Sequence, residues 1–271
     1  AIFIWSLGAC LHAGCGVATM VFCGYENLTA MQAAVKAGVP VAVPAYTVEE
    51  GYTAHAGNPL VYTAVTGNVT VDAGTVRIQE NIPYCAWNEA TQQMEDRVCT
   101  AYEVVTAGTA NFENGRWYVV KGSVWRDDTV TVNGEAHLIL CDDGSLTVRG
   151  STNGGVKVEP GKSLTIYGQT FGTGALVASC GLRGAGIGGG SARFRNTGGT
   201  VTINGGTVTA TGGRRGGAGI GGGYRGHGCR LTVNGGTVTA TGGDYGAGIG
   251  GGEEGMGGMV RINGGMVMAT G

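Results

Sequence analysis

The chain repeats itself with a period near 30 residues, and this limits its fold more than any other feature. GAGIGGG occurs at 184–190, 217–223 and 246–252, while VTINGGTVTATGG (201–213), LTVNGGTVTATGG (231–243) and VRINGGMVMATG (260–271) fall in step with it. Asn204, Asn234 and Asn263 recur after 30 and then 29 residues, and Ile187, Ile220 and Ile249 after 33 and then 29. A repeat of this length signals a solenoid or array, in which each unit buries its apolar face only against its neighbours.

The pattern inside one unit selects strands. Val201 and Ile203 alternate with Thr200 and Thr202, so the apolar pair faces one side and the threonines the other. After Asn204-Gly205-Gly206 the alternation restarts, with Val208 and Ala210 inward and Thr207, Thr209 and Thr211 outward. Asn-Gly is turn chemistry, because both residues tolerate positive φ. Valine and threonine favour strands. Each unit therefore reads as strand, sharp corner, strand and then a glycine segment forming the third side. Stacked units would place equivalent residues about 4.8 Å apart. That spacing predicts core ladders of Ile187, Ile220 and Ile249, of Val208 and Val238, and of the corner amides Asn204, Asn234 and Asn263. Charges should also pair between coils, Arg214 with Asp244 and Arg225 with Glu254. A phosphate-binding reading of GAGIGGG fails, because no strand–loop–helix unit surrounds it and no Lys-Ser/Thr closes it.

Composition agrees. Glycine supplies 56 of 271 residues while charged residues make up only 13%, against about 25% in an average domain. The net charge of −2, without a basic run, argues against nucleic acid as a partner. The eight cysteines contain no CxxC, so no metal or other cofactor is expected. Cys85 and Cys99 flank a short polar stretch and form the candidate disulfide. No charge precedes Glu26. The opening stretch is long enough to span a bilayer. Its glycines and cysteines, and the lack of a basic leader, favour a segment buried in protein over a membrane span. ENLTAMQAAVKAG, 26–38, has the one helical pattern, with Asn27 to cap it and Gly38 to stop it.

Upstream of the tandem units, WYVVKG (117–122), TVTVNG (129–134), HLILCDDGSLTVRG (137–150), GGVKVEPGKSLTIYG (154–168) and TGALVAS (173–179) are short strands between turn residues. The expected organisation is an apolar and short helical segment over 1–45, a β-rich region over 46–115, and a parallel β-helix over 116–271. The stretches NGRWYVVKGSV, TVTVNGEAHLILCDDGSLTV and GKSLTIYGQTFGTGALVAS, followed by the tandem units, resemble a group of bacterial, mostly gut-associated, secreted or cell-surface glycine-rich repeat proteins. The resemblance covers about residues 98–271. It implies an all-β, right-handed parallel β-helix and an extracellular or cell-surface address.

Function is read from the last unit. The repeat runs to Gly271 without a polar cap, and outward threonines give way to Met266 and Met268, with Met259 nearby. This predicts a contact surface. Its expected partner is the apolar opening stretch, Ile2, Phe3, Ile4 and Trp5, of another copy, giving a head-to-tail homopolymer. Catalysis is not expected. The carboxylate doublets Asp127-Asp128, Asp142-Asp143 and Glu253-Glu254 are adjacent in sequence, so their members would face opposite sides of a strand rather than one cleft. The alternative function is glycan binding on Trp117, Tyr118, Trp125, Tyr167, Phe171, Tyr224 or Tyr245.

Overall fold

The computed structural model describes residues 76–191 and 198–271, together with the short strands Thr19–Met20, Tyr46–Thr47 and Tyr52–Ala56. The expected helix over 26–38 and the apolar residues Ile2, Phe3, Ile4 and Trp5 lie outside the described residues. The chain divides into two compact units, Ala1–Ile82 and Pro83–Gly271. In the first, Thr19–Met20 pairs antiparallel with Tyr46–Thr47, and Tyr52–Ala56 with Val76–Glu80.

The second unit is a parallel β-solenoid, and none of its described residues is helical. Three sheets run along it. Sheet A stacks Glu103–Val104, Arg116–Val120, Glu135–Leu140, Ser163–Gly168, Thr200–Ile203, Arg230–Val233 and Met259–Ile262. Sheet B stacks Ser123–Arg126, Ser145–Gly150, Ala175–Cys180, Thr207–Thr211, Thr237–Thr241 and Met266–Thr270. Sheet C stacks the short strands Asn111–Phe112, Val130–Val132, Val156–Lys157, Ile187–Gly188, Ile220–Gly221 and Ile249–Gly250. The chain passes through C, A and B in turn, and with six strands in sheets B and C and seven in sheet A it makes about five turns. The parallel ladder begins at Glu103, ahead of position 116.

Register follows the repeat. Ile187 pairs with Ile220 and Ile220 with Ile249, forming one column of sheet C. Leu176, Val208, Val238 and Val267 form another column in sheet B. Leu164, Val201 and Leu231 form one in sheet A. Ile187, Ile220, Val208 and Val238 are fully buried in a single core running the length of the stack. The alternation of valine and threonine does this directly, since every second residue of a strand faces the interior.

Glycine decides the two tight places. The glycine after each isoleucine, Gly188, Gly221 and Gly250, has φ between +129° and +142°, and a Cβ on Gly221 would collide with the carbonyl of Gly250 one coil away. The second glycine of each NGG, Gly206, Gly236 and Gly265, has φ near +80° at the corner between sheets A and B.

One expected pairing is displaced. Asp244 bridges to Arg215 rather than Arg214. Between TGG and GAGI the coil at 211–220 holds one residue more than the coil at 241–249. The isoleucine column fixes the register from its own side, and the extra residue is taken up next to Gly213. Arg214 turns instead to the carbonyl of Gly181, 3.5 Å from its Nε.

Replacing Ile220 by Ala removes the centre of the isoleucine column and should lower unfolding stability by about 2–5 kcal/mol. Chemical denaturation of the variant beside the parent checks this. Unchanged stability would contradict the register.

Candidate functional site

The coil from Ile249 to Thr270 is built like the coils before it but is covered on one side only. Its three strands pair with the preceding coil. In the coil before it, the inward residues Leu231 and Val233 are fully buried. Their counterparts Val260 and Ile262 are 45% and 54% exposed. The outward positions of this coil carry Met259, Met266 and Met268, each at least half exposed. Met266 and Met268 stand in the columns of Thr237 and Thr239. Together these side chains make a continuous apolar edge beside strand backbone that is hydrogen-bonded on one side.

The corner between sheets A and B carries an amide ladder into this edge. Asn234 Nδ2 donates to Asn204 Oδ1 at 2.7 Å, and Asn263 Nδ2 donates to Asn234 Oδ1 at 2.6 Å. Asn204 and Asn234 are buried. Their backbone N–H groups are also used, on Ile166 and Ile203 of the preceding coil. A buried amide is tolerable because both its ends are bonded. On the other side of the coil, Arg225 Nε contacts Glu254 Oε2 at 2.9 Å across adjacent coils.

A hairpin of Ile82–Asn88 and Gln93–Cys99 lies on the outer face of sheet A and along the stack. Pro83 O accepts from Gln169 Nε2 at 2.8 Å. The Met94 sulfur lies beside Gly235. Glu89, in the hairpin turn, reaches Arg261 on the last strand of sheet A at 3.9 Å. Tyr84 packs on Trp117 and Tyr167, with ring centroids 5.0 and 4.9 Å away. Trp117 and His137 are cross-strand partners in sheet A, and their rings stack at 4.2 Å. His137 Nδ1 is 3.0 Å from the Tyr167 hydroxyl. Burial lowers the His137 pKa, with Glu135 raising it part of the way, and burial pushes the Tyr167 hydroxyl up to about 12. This cluster joins distant parts of the chain by packing and has no local sequence signal.

The cysteine pairing is corrected. Cys85 and Cys99 are free thiols. Cys85 Sγ donates to Asp96 Oδ1 on the other hairpin strand at 3.4 Å, three residues short of Cys99. Three residues of strand are about 10 Å, beyond what a disulfide spans. Cys99 Sγ donates instead to the Ala101 carbonyl.

Most of the other candidate residues have structural partners, whereas Phe171 and Tyr245 are 84% and 87% exposed. Asp142 accepts from the backbone N–H of Phe171 and of Thr173, pinning the next corner loop to its own coil. Asp128 accepts from the N–H of Thr129. Trp117 and Tyr167 are taken up by the hairpin contact, and Tyr118 is buried in the core. Tyr224 lies between the guanidinium groups of Arg183 and Arg225, 5.2 and 5.0 Å from its ring. Trp125, on the open face of sheet B, is half exposed beneath Arg149. Among the described residues no group of three His, Cys, Asp or Glu is placed to hold a metal ion, and no helix is long and apolar enough to cross a membrane.

The model of a family described as a beta helix repeat matches residues 201–224 and 231–253, the two units whose columns are most regular. No curated protein and no solved structure matches the chain. The fold is a parallel β-solenoid, and the beta helix repeat match falls on two of its coils.

Two measurements test the cluster and the ladder. Asn234→Ala leaves Asn204 Oδ1 and the Asn263 amide without partners and should cost about 1–3 kcal/mol per unpaired group, measured by urea unfolding. The His137 pKa in the folded protein lies below its ordinary 6.5. The unfolded chain therefore binds the proton first as pH falls. The contribution is complete above 6.5 and is lost as pH drops towards the folded pKa. The urea midpoint should fall between about pH 7.5 and about pH 5, and less so in His137→Gln.

Proposed function

We propose that this protein is a non-catalytic structural subunit, working outside the cell or at its surface, whose β-coils stack head to tail into a fibre or surface layer. The observation that carries this reading is the apolar outer surface of the coil Ile249–Thr270, where Met266 and Met268 stand in the columns of Thr237 and Thr239 and are at least half exposed. Threonine-to-methionine replacement in the outward columns adds apolar area where a neighbour would sit. A contact between unlike ends is heterologous and propagates unless rotation closes a ring. The carboxylate doublets support a non-catalytic role, since Asp142 and Glu254 are spent on loop and coil contacts. The resemblance to secreted repeat proteins supports the extracellular address.

A second reading rests on Trp125, whose half-exposed ring on the flat face of sheet B suits a sugar ring and would make the solenoid a glycan-binding scaffold.

Light scattering and negative-stain imaging of the 271-residue chain test the first reading. The parent should form particles that grow in length with concentration, and Met266→Thr/Met268→Thr, which restores the threonine columns, should weaken growth. A parent that stays monomeric at high concentration, beside Trp125 quenching by polysaccharide, would favour the second.

A further inference from the structure

The tripeptide Asn-Gly-Gly occurs four times, at 153–155, 204–206, 234–236 and 263–265, and one copy is held differently from the other three. Asparagine followed by glycine is a reactive pair. The glycine amide nitrogen attacks the asparagine Cγ and expels ammonia, closing a five-membered cyclic imide. Water then opens either imide carbonyl, leaving aspartate or, with the side-chain carbonyl now in the main chain, isoaspartate. The sequence consumes one water, releases one ammonia and needs no other reactant. Glycine favours it because no side chain crowds the attacking nitrogen. In a folded chain the rate depends on whether the side-chain amide is free to turn onto that nitrogen.

In three copies the amide is engaged. These stand at the corner between sheets A and B, where the second glycine has φ near +80°. Asn204 and Asn234 are buried. Asn234 uses both ends of its amide, donating from Nδ2 to Asn204 Oδ1 at 2.7 Å and accepting at Oδ1 from Asn263 Nδ2 at 2.6 Å. Asn263 also uses both ends, since its Oδ1 accepts from Arg261 Nε at 2.9 Å. Ring closure at Asn234 would break two rungs of the ladder at once.

The fourth copy lies at the corner between sheets B and C, between the strands Ser145–Gly150 and Val156–Lys157. Here the first glycine has the positive φ, Gly154 at +117°. Asn153 is exposed, and among the described residues neither its side-chain amide nor the Gly154 N–H has a hydrogen-bond partner. The main chain just beyond is fixed. Gly154 O accepts from Thr129 Oγ1 at 2.8 Å, and Gly155 N donates to Ala185 O at 3.1 Å. The attacking nitrogen is therefore held beside a side chain that is free to rotate. The glycine is also required at 154, because an L side chain is strained at that φ. The two other Asn-Gly pairs fall between these cases, with one side-chain bond each: Asn114 Oδ1 accepts from Glu135 N, and Asn133 Nδ2 donates to Glu113 Oε1.

We propose that Asn153 is a site of spontaneous modification, converting to aspartate and isoaspartate, and that the amide ladder protects Asn204, Asn234 and Asn263 from the same reaction. The inference is independent of whether coils stack between copies. It gives the ladder a chemical role beside its structural one, keeping a reactive dipeptide intact at three successive corners.

The test incubates the full chain at mildly alkaline pH, where loss of the proton from the attacking nitrogen speeds the reaction. Peptide mass mapping reads conversion at each asparagine as a gain of one mass unit, and enzymatic methylation of isoaspartate reports the second product. Short peptides carrying each Asn-Gly sequence set the unprotected rates. Asn153 in the folded protein should convert within about threefold of its peptide, whereas Asn234 should be slowed at least about tenfold, because its bonds must open first. Asn153→Gln, whose ring would need six members, should remove most of the isoaspartate from the folded chain. Asn263→Ala, which releases Asn234 Oδ1, should speed conversion at Asn234. If folded Asn153 is slowed as strongly as Asn234, or if Asn234 converts as fast as Asn153, the proposal is overturned.

Discussion

Every part of the solenoid depends on parallel backbone pairing between successive coils. These bonds fix equivalent residues one strand spacing apart, about 4.8 Å. At that distance an isoleucine meets an isoleucine and an amide meets an amide. The core is therefore built of columns, and its quality depends on each column repeating one residue type. Ile187, Ile220 and Ile249 do so in sheet C, and Val208 and Val238 in sheet B. A polar column survives in the interior only because each Asn amide bonds its neighbour. The same rule explains the glycines: a Cβ on Gly221 would strike the carbonyl of Gly250 in the adjacent coil.

Much of this was legible in the sequence because the last coils are near copies. When residues recur at 29 or 30 positions with the same alternation, column membership follows without coordinates. Legibility ended where the copies differ. The pairing of Asp244 with Arg215 depended on which side of a one-residue insertion keeps the register, and the better-packed isoleucine side wins. In the earlier coils, Ser163 pairs with Thr200 across an intervening stretch longer than the repeat, which hides the period. The hairpin on sheet A was not visible, because Tyr84, Trp117, His137 and Tyr167 meet through tertiary packing. Cys85 and Cys99 misled for the same reason: nearness in sequence says nothing about offset along two paired strands. In the coil Ile249–Thr270, the methionines could be read as exposed. The contact of Arg261 with Asn263 could not, since an arginine after a valine in a strand gives no sign that it will bond an asparagine two residues on.

The surfaces divide the labour. Sheet C and its glycine segments are packed tightly and charge-paired between coils at Arg225 and Glu254. The outer face of sheet A is covered by the hairpin. Sheet B remains a flat threonine-lined face with Trp125 at one end and Met266 and Met268 at the other.

The hairpin has a mechanical consequence. Bonds between coils run roughly along the solenoid, so a pull on its two ends loads the coil interfaces in series, and the weakest one parts first. The hairpin lies across several of those interfaces, bonded to Gln169 at one point and to Arg261 at another. It shares the load in parallel with the coils between, like a batten nailed across planks, and a stack carrying it should part beyond the span it covers.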